Sequence, residues 1–183
     1  MKRIFVALFF SMLLLFSNVS FASDRDVSEM SPRERIFVGG YIGLQIGNIH
    51  STVGLHLHGG YLLTNRLSLG AGGNYQYNHF RWFDESYSSH IYGANVFMRF
   101  RVVSGFFLHA EYERLNLQSY LPERPPEDRP RVTEDNYLLG AGYAIPLSER
   151  VRLNLLMLYN LNDDSQVYFD NPFFRVGVDV FIF

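Results

Sequence analysis

The sequence contains no cysteine, and its only lysine is Lys2. Without cysteine there is no disulfide scaffold, no thiolate metal site and no thiol nucleophile. All formal positive charge after Lys2 therefore comes from arginine. Charge is also scarce: charged residues make up 19% against 48% hydrophobic, which excludes a disordered or fibrous chain. A net charge of −2 and a pI near 6.3 speak against a nucleic-acid partner. Past residue 22 no apolar run approaches the roughly 20 residues of a membrane helix. What the chain does have is aromatic side chains, 17 Phe and 12 Tyr in 183 residues, a length that fits one domain.

The first 22 residues read as a secretory signal peptide. Lys2 and Arg3 precede an apolar run from Ile4 to Phe16, and Ser20-Phe21-Ala22 places small residues at the −3 and −1 positions of a cleavage site. No cysteine follows for lipid attachment. Residues 23–35 are polar and charged, a flexible periplasmic leader. The remainder, 36–183, is the folded unit.

From Ile36 onward apolar and polar residues alternate, the mark of half-buried strands. The pattern predicts eight, at 36–47, 52–63, 67–79, 90–102, 106–117, 136–145, 151–161 and 173–183. Between them short connections (64–66, 103–105, 146–150) alternate with long ones (80–90, 118–135, 162–172). Only 48–51 breaks that rule. An even number of antiparallel strands with short turns at one end and long loops at the other is the layout of an outer-membrane barrel, with both chain ends on the periplasmic side.

A soluble, lipocalin-like barrel also alternates, with its apolar face inside. Three features favour the opposite arrangement. The polar face carries Gly39, Gly43, Gly54, Gly60, Gly70, Gly72, Gly93, Gly140, Gly142 and Gly177, and small residues suit a narrow lumen. It lacks lysine and has little glutamate. The apolar face collects aromatic residues at strand ends: Tyr75, Tyr77, Tyr92, Tyr137, Tyr159 and Phe174 by the long loops, and Tyr61, Phe100, Phe106 and Tyr143 by the short turns. Two such belts mark two membrane interfaces.

At these residues the sequence resembles a family. The segments "FVGGYIGLQIG", "LSLGAGGNYQY", "FFLHAEYERLN", "NYLLGAGYAIPL", "LNLLMLYNL" and "FFRVGVDVFIF" are similar to those of small eight-stranded outer-membrane barrels of the OmpA/OmpX type. The resemblance implies an all-β, antiparallel, up-and-down transmembrane barrel in the outer membrane of a Gram-negative bacterium. It also implies an assembly signal at Phe181 and Phe183, read by the barrel-assembly machinery. That signal is atypical here, because Phe181 and Phe183 share the parity of Arg175 and Asp179, or else the last residues shift phase.

The polar parity supplies the candidate site. Arg99, Arg101, Glu111, Glu113, Arg152, Arg175 and Asp179 form a lumen charge network. Gln45, His56, His58, Asn74, Gln76, Asn95, His109 and Asn154 line the same face. Charges confined there must pair, and arginine does so bidentately. An ion path and a salt-bridged plug are both compatible with this list, and the plug fits an eight-stranded interior better. By hairpin register Arg99 is expected near Glu111, and Arg101 near His109 or Glu111. His56 and His58, about 7 Å apart along a strand, form a metal site only if His109 or another ligand joins them. Hydrogen-bonded lumen histidines are the simpler reading, with no metal and no cofactor.

The long loops carry Asp84, Glu85, Glu123, Glu127, Asp128, Glu134, Asp135, Asp163, Asp164 and Asp170 against Arg81, Arg124, Arg129 and Arg131. This acidic rim is a solvated edge, a divalent-cation bridge to lipopolysaccharide, or a surface for a partner through 80–90, 118–135 and 162–172. Prolines 122, 125, 126 and 130 make the second of these loops stiff and extended. His79, His90, Ser86, Ser88, Ser89 and Glu85 gather at one rim, but no nucleophile-elbow motif accompanies them. Catalysis is not expected. The reading is a structural or surface-interaction barrel in contact with outer-membrane lipid and lipopolysaccharide. The alternatives are an outer-leaflet lipid-modifying enzyme and a small-solute channel.

Overall fold

The computed structural model describes residues 26–46, 50–82, 85–119, 129–168 and 171–182. The expected signal peptide and Phe183 lie outside the described residues. Eight strands follow in order: β1 (Ile36–Ile46), β2 (His50–Leu62), β3 (Leu67–Trp82), β4 (Glu85–Arg101), β5 (Phe106–Gln118), β6 (Arg131–Pro146), β7 (Val151–Asn160) and β8 (Phe173–Phe181). Each pairs antiparallel with its sequence neighbour, and β1 pairs with β8, closing an up-and-down barrel.

Three connections are tight and share one end of the barrel. In the β2–β3 turn the Thr64 Oγ1 accepts from the Arg66 and Leu67 N–H groups at 3.2 and 2.9 Å. In the β6–β7 turn Ser148 Oγ does the same for Arg150 and Val151. Such hydroxyl bonds replace ladder partners where the chain reverses. The β4–β5 turn uses Gly105, whose φ of +75° only glycine adopts without strain.

The opposite end departs from the predicted pattern. The expected 80–90 loop is largely strand, because β3 and β4 stay paired up to Trp82 opposite Glu85. Likewise β6 begins at Arg131, not 136, and pairs with β5 as far as Gln118. Polar residues in both stretches looked like loop. Beyond the apolar belt a hairpin needs no continuous apolar face, so strict alternation weakens while its ladder continues.

Side-chain polarity is inverted relative to a soluble barrel. Leu57, Val96, Leu139 and Phe174 point outward and are 59, 54, 48 and 67% exposed, whereas Glu113, Asn136 and Asn160 point inward and are fully buried. Every girdle residue predicted from the pattern has the outward parity.

The leader differs from the flexible segment expected. From Asp26 it forms a short 3-10 turn over Val27–Glu29, capped by the Asp26 side chain. Val27 inserts at the short-turn end among Phe37, Leu62, Phe97 and Phe181, and its N–H donates to Asn65 Oδ1 at 2.6 Å. Arg35 ties the segment back by donating to the Met30 carbonyl.

Candidate functional site in the barrel lumen

The strand parity turns Phe37 and Tyr41 of β1, Phe97 of β4 and Phe107 of β5 inward. Each of these rings lies opposite a glycine on the adjacent strand: Phe37 on Gly60, Tyr41 on Gly177, Phe97 on Gly70 and Phe107 on Gly142. A Cβ at any of these glycines would run into the ring. The inward glycines thus act as flat seats, letting large rings fold against the wall of a narrow barrel.

The four rings surround one cation. The Arg99 guanidinium lies 4.5 Å from the Phe97 centroid and 5.5, 5.5 and 5.7 Å from those of Phe37, Tyr41 and Phe107, within cation–π range. Its Nη1 donates to Asp179 Oδ2 at 2.6 Å, and His58 Nε2 meets the other Asp179 oxygen at 2.7 Å. All three residues are buried.

A second network lies towards the long-loop end. Arg175 Nη1 donates to both oxygens of Glu111 at 3.0 Å, and its Nη2 lies 3.6 Å from Glu113 Oε1. His109 and Asn95 also bond Glu111, at 2.9 and 2.8 Å. Asn74 donates to Glu113 and bonds His56 at 2.9 Å. One arginine therefore bridges two like charges two residues apart on β5, a pair that burial would otherwise forbid.

From the β7–β8 connection Tyr168 enters this network. Its hydroxyl donates to Glu113 Oε2 at 2.6 Å and accepts from Arg175 Nη2 at 2.9 Å. Its ring stacks on Phe173, 4.4 Å between centroids. Beside it Val167 packs with Ile91, Leu115 and Leu117. Ser165 and the Gln166 N–H hold Glu134, and Asn160 donates to Asn136 at 2.7 Å.

The predicted lumen residues whose side chains are described share this interior, but two expected pairings need correction. Arg99 does not pair with Glu111; it reaches across to Asp179 on β8. Phe97, not Arg99, stands opposite Glu111, and Arg99 stands opposite His109. A cross-lumen partner is nearer in space than a hairpin neighbour once side chains extend inward. Arg101 stands opposite Phe107 rather than His109 or Glu111. Arg101 and Arg152 are half-buried near the short turns, and the Arg152 guanidinium lies 4.6 Å from the Phe181 centroid. Phe181 faces inward with Asp179 and Arg175 and is buried, so no phase shift occurs up to that residue. Gln76 donates to Tyr168, and Asn154 is buried. Gln45 lies in β1, with its side chain outside the described residues.

His56, His58 and His109 engage three different partners, and among the described residues no group of three histidines and carboxylates is spaced for a metal. At the outer rim Ser88 Oγ meets Tyr77 OH at 2.8 Å and His79 Nδ1 at 3.2 Å, while Tyr75 OH meets His90 Nδ1 at 2.8 Å. These are cross-strand pairs on the outer wall. Ser89 points inward and is buried. The side chains of Glu85 and Ser86, and loop residues Asp84, Glu123, Arg124, Glu127, Asp128 and Asp170, lie outside the described residues. Tyr168, Val27, Asn136, Asn160 and the ring cage went unrecognised in the sequence. The available signal for the cage was the coincidence of inward rings with glycines on adjacent strands.

No protein-family model matches the chain, and no curated protein matches it. Among solved structures it is similar to the N-terminal β-barrel domain of Pseudomonas aeruginosa OprF, at 14% identity and a TM-score of 0.41 over 84% of this chain and 100% of that one. It is also similar to the Yersinia pestis outer membrane protein Ail in a phospholipid nanodisc, at 14% identity and a TM-score of 0.47 over 79% and 96%. For the NanC porin the values are 11% and 0.26 over 81% and 100%.

Proposed function

We propose that this chain is an outer-membrane barrel with a structural or surface-interaction role, its lumen plugged by its own side chains. The observation that carries the reading is the inversion of polarity. An outward face of Leu, Val, Ile and Met, bordered at both ends by Tyr and Phe, encloses buried guanidinium–carboxylate pairs. Such an outer wall suits hydrocarbon, and its strands leave no unpaired edge.

In this reading the short turns and the leader are periplasmic and the long-loop end is outside. The partners are outer-membrane lipid and lipopolysaccharide around the wall, the barrel-assembly machinery acting on Phe181 and Phe183, and a surface partner at the long-loop end. The two charge networks, Val27 at one mouth and Tyr168 at the other support a plug over a channel.

The test has two arms. An epitope at Glu127 is labelled on intact cells while one near Glu29 is not; the reverse labelling overturns the topology. In planar bilayers the wild-type barrel passes essentially no current; steady nanosiemens conductance overturns the plug and favours the channel.

A further inference from the structure

The three short turns share one construction. Leu63 donates its N–H to the Leu67 carbonyl at 2.9 Å, Val102 to that of Phe106 at 3.0 Å and Leu147 to that of Val151 at 2.8 Å. In each case the donor stands four residues before its acceptor, and in each case it is aliphatic. The residues inside the turns are of another kind, Thr64-Asn65-Arg66 in the first and Ser148-Glu149-Arg150 in the third. Reversals in water draw on Gly, Pro, Asn, Asp and Ser, so an aliphatic side chain repeated at one turn position calls for a surrounding other than water.

These three side chains are 44, 41 and 60% exposed. They prolong the outward rows of β2, β4 and β6, past Tyr61, Phe100 and Tyr143. The last strand, β8, ends alike: Ile182 is exposed past the outward Val180, and its N–H donates to the Ile36 carbonyl at 3.0 Å. One aliphatic residue therefore stands on every second strand of the closed barrel, a hoop at its short-turn rim. The belt just inside this hoop includes Phe100 and Phe106, which have no polar tip to keep wet. At the long-loop end the order is reversed. There the belt is mostly tyrosine, and past it the outward residues of β3 to β6 are polar, among them His79, Ser88, His90, Asn116, Arg131 and Thr133.

We propose that this hoop is seated in lipid, so that the barrel is embedded up to its short turns in one leaflet while its long-loop end stands clear of the other. The occupant is the acyl and glycerol region of that leaflet. The hoop continues the apolar wall without a polar break, and it encircles the barrel instead of gathering into the single patch that one protein partner would take. The inference rests on the membrane reading above.

The chain has no cysteine, so single thiols report on single positions. Leu63→Cys, Val102→Cys and Leu147→Cys are folded into phosphatidylcholine nanodiscs holding one barrel each and exposed to a charged maleimide. Rates are taken relative to the same variant unfolded in urea. With one barrel per disc, neither a second copy nor a periplasmic protein is present to shield the turns. Each variant is expected to react about tenfold more slowly than Glu149→Cys, because a thiol in apolar surroundings resists ionisation. Three positions on three turns keep the result independent of any one variant's folding. Leu155→Cys, halfway up the wall, is the reference for burial in the membrane. If Leu155→Cys is shielded while the turn positions react as fast as Glu149→Cys, the hoop stands in water and this proposal falls alone. If Leu155→Cys itself reacts as fast as Glu149→Cys, the membrane reading falls and takes the proposal with it.

Discussion

At the residue scale the lumen is governed by which charge meets which. Glu111→Gln leaves the buried Arg175 without its bidentate partner, at a cost of roughly 3–5 kcal/mol. A double-mutant cycle on urea unfolding in lipid vesicles is expected to give a large coupling between Glu111 and Arg175. The coupling between Glu111 and Arg99 should be several times smaller; equal values would contradict the geometry. The glycine seats offer a second contrast. Gly70→Ala drives a methyl into the Phe97 ring, with a cost of about 1–3 kcal/mol by overpacking. At Gly73, on the outer wall, the nearest atom would be 3.8 Å away, so alanine there should leave the unfolding midpoint unchanged or higher. Much of this was legible from parity alone. Alternation assigns each side chain to a face, and Arg99, Glu111, Glu113, Arg175 and Asp179 are buried on the inward parity. It says nothing of how far round the barrel a partner sits, and so Arg99 was given its hairpin neighbour and not Asp179.

At the scale of elements, the outward positions are expected to answer to depth in the membrane. Leu155→Arg, on β7 midway between the aromatic belts, should destabilise by about 2–4 kcal/mol in lipid vesicles. Arginine at Leu161, beyond Tyr159, should cost far less. Equal penalties at the two positions would remove the membrane from the reading. The leader makes a pH prediction. The Ser28 backbone N–H, with help from the Asn65 and Ser28 side chains, holds the Asp26 carboxyl below its ordinary value. The folded value is depressed, so the capping is complete above the usual carboxylate range near 3.9. It is lost as pH falls through the lower folded value. Hydrogen exchange at the Ser28 N–H should therefore be protected at neutral pH and accelerate, beyond its intrinsic pH dependence, only below about pH 4. Strand existence was readable wherever one face is apolar. The long-loop ends of β3, β4 and β6 were not, because polar and aromatic residues mix there without the strict alternation that period two needs. The leader's turn was hidden for a related reason: one buried valine among charged neighbours has no periodicity to betray it.

At the scale of the whole molecule, the obstruction of the lumen is distributed. Deleting residues 26–34 removes Val27 from one mouth but leaves both charge networks, so the truncated barrel should still carry no steady current in planar bilayers. Replacing Tyr168 by alanine in that background should likewise leave it silent; a conducting pore in either variant would mean that the plug resides at the mouths and not in the middle. The networks have one further property, seen by asking where in the chain their members come from. Arg99 is on β4 and both glutamates are on β5, yet their partners Asp179 and Arg175 are on β8, the last strand. Before that strand docks between β7 and β1, Arg99 and the two glutamates lack the ion partners they hold in the closed barrel. The seam that closes the ring and the ion pairs that span the lumen therefore depend on the same strand. A chain cut short before Arg175 would present the same rings, glycines and apolar wall without those cross-lumen contacts, so β8 is a clasp as well as a seam.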